Sequence, residues 1–348
     1  MFSSKVARAA LAGIGVSLLL TGCERPPVDP GQIGYRGTGM EQVVNPRTEA
    51  KLVSLNQAPT ALPPAEAGGP LAKDVYKNVQ VLGNLTVNEF NRLMVAMTAW
   101  VSPEQGCAYC HNVVNFAEDG LYTKIVARRM TQMTQTINGK WQSHVGNTGV
   151  TCYTCHRGQN LPTQRWFTEP DAKTAGRLLG DDAGQNRAGV VANANSSLPY
   201  DPFTSFLLQD KEIRMAGTTA LPTGNRQSIK QTEWTYSLMM HMSDGLGVNC
   251  TYCHNTRAMH DWSQSPPQRV TAWYGIRMVR EVNNEYIAGL APIHPPNRLG
   301  PTGDISKVNC ATCHQGVNKP LYGAQMLASH PELAGGSGGS LASALVKK

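Results

Sequence analysis

Four short stretches of this 348-residue chain repeat one arrangement of cysteine and histidine, at 107–111, 152–156, 250–254 and 310–314. In each stretch two cysteines are three positions apart, and a histidine directly follows the second. C-x-x-C-H is the attachment signature of c-type haem: both thiols add to vinyl groups of one porphyrin, and the histidine becomes the proximal iron ligand. The predicted attachment residues are Cys107, Cys110, Cys152, Cys155, Cys250, Cys253, Cys310 and Cys313, and the predicted proximal ligands are His111, His156, His254 and His314.

Three other uses of such cysteines are a zinc site, a redox-active C-x-x-C pair and structural disulfides. A zinc site usually lacks a histidine after every second cysteine, and a redox pair occurs once, within a βαβ pattern that this sequence does not have. Here eight of the nine cysteines belong to four complete motifs. The sequence therefore predicts four covalently attached haem c groups.

The first 22 residues have the pattern of an export signal. Lys5 and Arg8 give a basic start, and residues 9–20 form an apolar run, shorter than the roughly 20 residues that cross a bilayer. The run ends in Leu-Thr-Gly-Cys, which resembles a bacterial lipobox, so Cys23 is the predicted lipid-bearing first residue of the mature protein. An uncleaved signal anchor is the alternative. Both interpretations place the body outside the cytoplasm.

The composition favours a protein built around its cofactors. Aromatic residues make up 7% of the chain and hydrophobic residues 41%, so four haems would supply much of the apolar interior. The formal charge of +7 is offset by the haem propionates, and no dense basic run occurs beyond the short Arg128-Arg129 pair. A nucleic-acid partner therefore has no support.

The elements that must position the motifs are mostly helices. Thr86 and Glu89 form a capping box, which predicts a helix from there to about residue 101, before Pro103. Further helices are predicted over about 121–137, 233–246 and 268–286. The span 158–230 is rich in Gly, Asn and Pro and predicts loops with short strands.

An internal repeat indicates two related halves. The first and third motifs share the pattern C-x-Y-C-H-N, whereas the second and fourth share C-x-T-C-H-x-G. The predicted fold is mainly α with long loops and a few short strands, a multihaem c-type cytochrome built from two pseudo-repeated dihaem halves. The expected segments are a signal peptide (1–22), a lipid-anchored extended arm (23–72), the first dihaem half (73–160), a connecting segment (161–230), the second dihaem half (231–330) and a flexible tail (331–348).

Each haem iron needs a sixth ligand, and spacing alone leaves several choices open. Methionine on a helix before the motif is a natural source, although methionine in a helix is more often part of the core. The open choices are Met94 or Met97, Met130 or Met133, one of Met239, Met240, His241 and Met242, and Met278 or His144. His241, His260, His294 and His330 remain as further candidates, although a surface position is expected for each.

The sequence resembles the tetrahaem cytochrome subunit bound to photosynthetic reaction centres of purple bacteria. The similarity runs from about residue 34 to 333, through VYKNV (75–79), VLGNLT (81–86), WVSP (100–103), TGVTC (148–152), YDPFT (200–204) and GIRMVR (275–280). In that family, methionines ligate the first three haem irons and a histidine from the first half ligates the fourth. The matching positions are Met94, Met130, Met239 and His144. The resemblance thus makes Met278 a core residue and His241 a bystander.

The resemblance implies an electron carrier rather than an enzyme. Such a protein is lipid-anchored at the periplasmic face of the photosynthetic membrane, docks on the membrane subunits of the reaction centre and re-reduces the photo-oxidised bacteriochlorophyll pair. Its donor would be a soluble c-type cytochrome or a high-potential iron–sulfur protein, and its haems would follow the order first, second, fourth, third. The alternatives are a multihaem reductase, which needs a vacant sixth position, and a periplasmic carrier without a photosynthetic partner.

Overall fold

The computed structural model describes residues 28–32, 41–170, 198–213 and 229–335. The α-helices are α1 (Pro46–Leu55), α2 (Ala72–Val75), α3 (Val87–Val101), α4 (Tyr122–Lys140), α5 (Gln142–Val145), α6 (Cys152–His156), α7 (Ile229–Leu246), α8 (Gln268–Glu281), α9 (Cys310–His314) and α10 (Met326–Ser329). The strands β1 (Asp29–Gln32) and β2 (Glu41–Val44) form one antiparallel pair, and β3 (Arg165–Trp166) and β4 (Lys307–Val308) form another. The fold is mainly helical with short strands, which confirms that part of the prediction.

Helix α3 begins at the predicted capping box. The backbone N–H of Glu89 donates to Thr86 Oγ1 (3.3 Å), and the backbone N–H of Thr86 donates to the Glu89 carboxylate (2.8 Å). Leu93, Ala96 and Trp100 are its buried residues, and their spacing of three and four places them on one helix face. The predicted helix from Thr86 to about residue 101 is confirmed.

The other three predicted helices are present with shifted ends. Helix α4 continues three residues beyond the predicted 137, and α7 begins four residues before the predicted 233. The fourth begins at Gln268 as predicted, but its regular part ends at Glu281 and a π-helical turn, Val282–Ile287, follows. A π turn accommodates a residue that regular spacing would misplace, and here it contains the fully buried Asn283.

The larger hydrophobic core draws on both predicted halves and on the segment between them. Ile137 comes from α4, Leu238 from α7 and Ile276 from α8, while Trp166 and Phe203 come from the connecting segment. The indole N–H of Trp166 also donates to the carbonyl of Val308 (3.0 Å). The described parts of the connecting segment are therefore built into the core. A smaller core lies between α3 and the C-terminal segment, with Leu93, Trp100, Met326 and Leu333 among its members.

The predicted arm is not simply extended where the structure describes it. Asn45 caps α1 by accepting from the backbone N–H of Arg47 (3.0 Å), and Pro46 occupies the first helical turn, where proline is well tolerated. After α1, the buried Asn56 donates to the carbonyl of Gln315 (3.3 Å). The end of α1 is thus held against the body, because Asn56 bonds to the residue that follows the fourth motif.

The predicted targeting segment lies outside the described residues. Residues 1–22 and Cys23 are not described, nor is the chain beyond residue 335. In the described ranges, every helix is too short or too polar to cross a membrane. The lipid anchor therefore stays a prediction.

Candidate functional site

The second and fourth motifs form the short helices α6 and α9, which share one local design. A threonine inside each motif accepts at the helix start: Thr154 Oγ1 from the N–H of Thr151 (3.0 Å), and Thr312 Oγ1 from the N–H of Asn309 (2.9 Å). Both helices end in a residue with left-handed backbone followed by a positive-φ glycine, namely 157–158 and 315–316. This ending is the usual one for a helix C-terminus, and it explains the pattern C-x-T-C-H-x-G.

The first and third motifs form 3₁₀ turns instead. The backbone N–H of Cys110 donates to the carbonyl of Cys107 (3.2 Å), and that of Cys253 donates to the carbonyl of Cys250 (3.3 Å). The N–H groups of His111 and His254 donate to the same two carbonyls (2.9 Å each). Each turn brings the ends of the motif together, as attachment of both cysteines and ligation by the histidine at one porphyrin require. The two motif classes distinguished by sequence therefore correspond to two backbone conformations.

The imidazole rings of all four motif histidines are oriented by the same kind of hydrogen bond. In each, Nδ1 donates to a nearby backbone carbonyl: His111 to Phe116 (3.4 Å), His156 to Gln159 (2.9 Å), His254 to Met259 (2.9 Å) and His314 to Val317 (3.0 Å). A carbonyl can only accept, so the proton is on Nδ1 and the lone pair is on Nε2, as in metal-bound histidine. Burial lowers the pKa of all four, that of His314 to about 4, which keeps them neutral and able to ligate.

His144 has the same arrangement and lies opposite the fourth motif. Its Nδ1 donates to the carbonyl of Thr271 (2.9 Å), burial lowers its pKa, and its ring centre lies 6.0 Å from that of His314. When two imidazoles bind one metal from opposite sides, two metal–nitrogen bonds of about 2 Å and the half-widths of the two rings place the ring centres about 6 Å apart. The pair is therefore spaced as two axial ligands of one iron would be. Gly275 on α8 lies against the His144 ring and leaves room for it.

A cavity of about 770 Å³ joins the first and second motifs. Its lining includes the thiols of Cys107, Cys110, Cys152 and Cys155, and both candidate methionines from each of α3 and α4: Met94, Met97, Met130 and Met133. Pockets for organic ligands commonly measure about 300–1,000 Å³ and are mostly apolar with a few polar groups. The lining thus fits haem chemistry, because cysteines, histidines and methionines border one space. All four methionines reach it, so this arrangement does not choose within either pair.

The residues considered as sixth ligands of the third and fourth haems differ in how deeply they are buried. Met278 is buried in the larger core, as predicted. Met239 and Met242 are partly buried and pack against the same core. His241 is buried with its ring edge-on to Phe203, at 4.6 Å between centres. The expectation of a surface position is wrong for His241, because its helix face packs on the connecting segment.

His330 is also buried, contrary to the expectation of a surface position. Its ring packs edge-on against Trp100 (4.6 Å), and its Nδ1 lies 3.1 Å from Nη1 of Arg92. Arg92 also donates to the carboxylate of Glu332 (3.0 Å). This group ties the C-terminal segment to the helix that carries Met94, which explains why a histidine so near the predicted tail is buried.

The second and fourth motifs are neighbours in space and lie between α3 and α7. The backbone N–H of Gly158, after the second motif, donates to the carbonyl of Trp100 (2.9 Å) on α3. The second and fourth motifs approach each other, with Cys155 Sγ 2.6 Å from Cys313 Sγ. The fourth motif in turn packs on α7, where the N–H of Gly316 donates to the carbonyl of Gly245 (2.8 Å). The spatial order is therefore α3, the second motif, the fourth motif and α7.

Two buried asparagines that sequence reasoning missed hold the chain just before α6 and α9. Asn138 donates to the carbonyl of Val150 (2.9 Å) and accepts from its N–H (2.7 Å). Asn283 makes the same two bonds with Val308, at 3.0 and 2.9 Å. Both valines precede the first motif cysteine by two positions, so each asparagine fixes the entrance to a haem motif.

Comparisons with known proteins identify the family of the chain. The family described as "Photosynthetic reaction centre cytochrome C subunit" matches residues 24–334. The photosynthetic reaction center cytochrome c subunit of Rubrivivax gelatinosus is 54% identical over 333 residues, which are 95% of this chain and 90% of the relative. The protein of the same name from Thermochromatium tepidum is 53% identical over 317 residues, which are 91% of this chain and 78% of the relative. The one from Roseobacter denitrificans is 45% identical over 320 residues (87% and 85%). The chain therefore belongs to the family of photosynthetic reaction centre cytochrome c subunits and is an electron-transfer protein with covalently bound haem.

Proposed function

We propose that the chain carries four haem c groups, one on each C-x-x-C-H motif, and conducts electrons along them within a photosynthetic reaction centre. The observation that carries the proposal is the shared geometry of the motif histidines. Each donates Nδ1–H to a backbone carbonyl and keeps Nε2 for a metal. When bound, haem supplies a one-electron Fe(III)/Fe(II) couple, which electron transfer without bond-making requires.

The proposed axial set pairs each motif histidine with one further ligand. Met94, Met130 and Met239 would ligate the first three haems, and His144 the fourth. The 6.0 Å between the rings of His144 and His314 supports the last assignment. The resemblance supports Met94 and Met130, and both line the cavity that contains the first two motifs. Four closed coordination shells suit a conductor rather than a reductase.

We place the haems in the spatial order first, second, fourth, third. The contacts between α3 and the second motif, between Cys155 and Cys313, and between the fourth motif and α7 support this order. Arg157, the residue after His156, donates from its guanidinium to the carbonyl of Cys313 (3.2 Å). This bond also holds the second and fourth motifs together. The described halves share one core, which holds the motifs at fixed separations.

The proposed partners follow from the family. The chain would sit at the periplasmic face of the photosynthetic membrane, held by lipid on Cys23 and by the reaction-centre membrane subunits. It would take electrons from a soluble c-type cytochrome or high-potential iron–sulfur protein and pass them to the photo-oxidised bacteriochlorophyll pair. The two dihaem halves would be a pseudo-repeat, which the matching roles of Asn138 and Asn283 support.

Flash excitation of host membranes tests the proposal. Oxidation of the bacteriochlorophyll pair should be followed by oxidation of a haem of this chain, and deletion of the chain should abolish the haem signal while pigment oxidation remains. Haem absorbance that stays constant after each flash would contradict the proposal.

A further inference from the structure

Arg165 lines the cavity between the first and second motifs. It lies on β3, opposite Val308 of β4, and its Nη1 donates to the carbonyl of Pro162 (2.9 Å). Its Nε is buried and has no hydrogen-bond partner among the described residues. Protein atoms therefore satisfy this charged guanidinium only in part, which is costly for a partly buried group.

Three of the other cations that line the cavity are already paired with carboxylates. Lys307, on the neighbouring strand, bonds to Asp304 and lies over the Trp166 ring at 4.7 Å. Lys124 and Arg128 share Asp119, at 3.0 and 2.8 Å. In the described chain, Arg165 has no carboxylate partner of this kind. The cavity therefore offers an uncompensated, partly dehydrated guanidinium.

Carboxylate is the group that matches these properties. A guanidinium donates two parallel N–H bonds to a carboxylate, and such charge-assisted pairs are the strong ones in a low-dielectric site. Haem carries its negative charge on two propionates. We propose that Arg165 binds a propionate of a haem held by the first or second motif, and so raises the reduction potential of that haem. This inference rests on the proposed function.

The effect on the potential follows from the charge. Ferric haem carries one more positive charge than ferrous haem, so a bare propionate nearby favours the ferric form. Arg165 compensates that propionate and shifts the balance toward the ferrous form. Arg165→Gln should lower the reduced-to-oxidised ratio of one cavity haem about tenfold at fixed ambient potential, which corresponds to about 59 mV for one electron. Arg165→Lys keeps the charge and should retain most of the potential.

A redox titration of the purified full-length holoprotein tests this. Arg298→Gln is the matched control, because Arg298 lines the same cavity but is not among the side chains with buried unpaired nitrogens. The propionate bending band in resonance Raman spectra gives a second readout, which should move in Arg165→Gln and not in the control.

The outcomes are distinguishable. Unchanged potentials and an unchanged bending band in Arg165→Gln, with four haems present by mass, overturn the role of Arg165 but leave the proposed function intact. A shift confined to the third or fourth haem, or a larger shift in Arg298→Gln, also overturns it. Wild-type protein without covalent haem overturns the proposed function itself.

Discussion

Adding a single methyl group at Gly275 should detach His144 from the fourth haem. A Cβ at position 275 would lie 2.5 Å from Cε1 and 2.8 Å from Nδ1 of His144. Carbon atoms in contact lie about 3.5–4.0 Å apart, so the imidazole must move by about 1 Å. Metal–ligand distances hold within about 0.2 Å, and the required displacement is several times larger. Gly275→Ala should therefore leave the fourth iron without its histidine or with a strained bond.

The same substitution should hardly affect folding. Gly275 lies inside α8, where alanine is favoured over glycine by roughly 0.5–1 kcal/mol. The atoms it would displace belong to the end of a side chain rather than to the backbone. The free energy of unfolding should therefore change by less than about 1 kcal/mol. A ligation change without a stability change separates this effect from general damage.

Electron paramagnetic resonance and carbon monoxide binding provide the assay. In Gly275→Ala, one haem in four should become high-spin or bind carbon monoxide, while the other three stay low-spin. Gly289→Ala is the control, since no atom lies within 4 Å of a Cβ added there. A Gly275→Ala protein whose four haems match the wild type in spin state and ligand binding would refute the reasoning about His144.

Three further predictions concern the framework of the site. Asn138→Leu should lower the free energy of unfolding, measured by urea titration, by at least about 3 kcal/mol. The N–H and carbonyl of Val150 and the carbonyl of Leu333 each lose a buried partner, at about 1–3 kcal/mol each. A loss below about 1 kcal/mol would contradict this prediction. Thr86→Ala should cost about 1 kcal/mol through the lost cap of α3, with Thr86→Ser near neutral as the comparison. The hydrogen bonds from Arg128 hold the pKa of Asp119 below its ordinary value, so its stabilising contribution is present above about pH 4 and is lost as the pH falls further. Asp119→Asn should therefore flatten the acid limb of the stability profile, and an unchanged limb would count against this pairing.

The long helices and the motif classes were predictable from local sequence. The capping box at Thr86 fixes the start of α3, and the motif patterns distinguish helices α6 and α9 from the 3₁₀ turns. The helix α1 carried a readable signal too, since Asn45-Pro46 is a cap followed by a favoured first residue. The proline-rich flanks of that segment obscured it.

The buried positions of the two asparagines and of His330 depend on contacts between residues far apart in the sequence. In the sequence, Asn138 is an ordinary polar helix residue, and only the fold shows that it bonds to the backbone of Val150. Asn283 bonds to the backbone of Val308 from a π-helical turn. His330 is buried by Arg92 and Trp100, which lie more than 200 positions earlier. Such pairings depend on how helices pack, and no short pattern encodes them.

Near-infrared magnetic circular dichroism of the fully oxidised, purified protein, with haem quantified per chain, tests the central claim most directly. It distinguishes histidine–methionine from histidine–histidine ligation. The account predicts four haems per chain, three with methionine and one with two histidines, and no high-spin haem. A five-coordinate haem in native protein, a different ratio of ligand types, or a colourless protein with zinc in the motifs would contradict it.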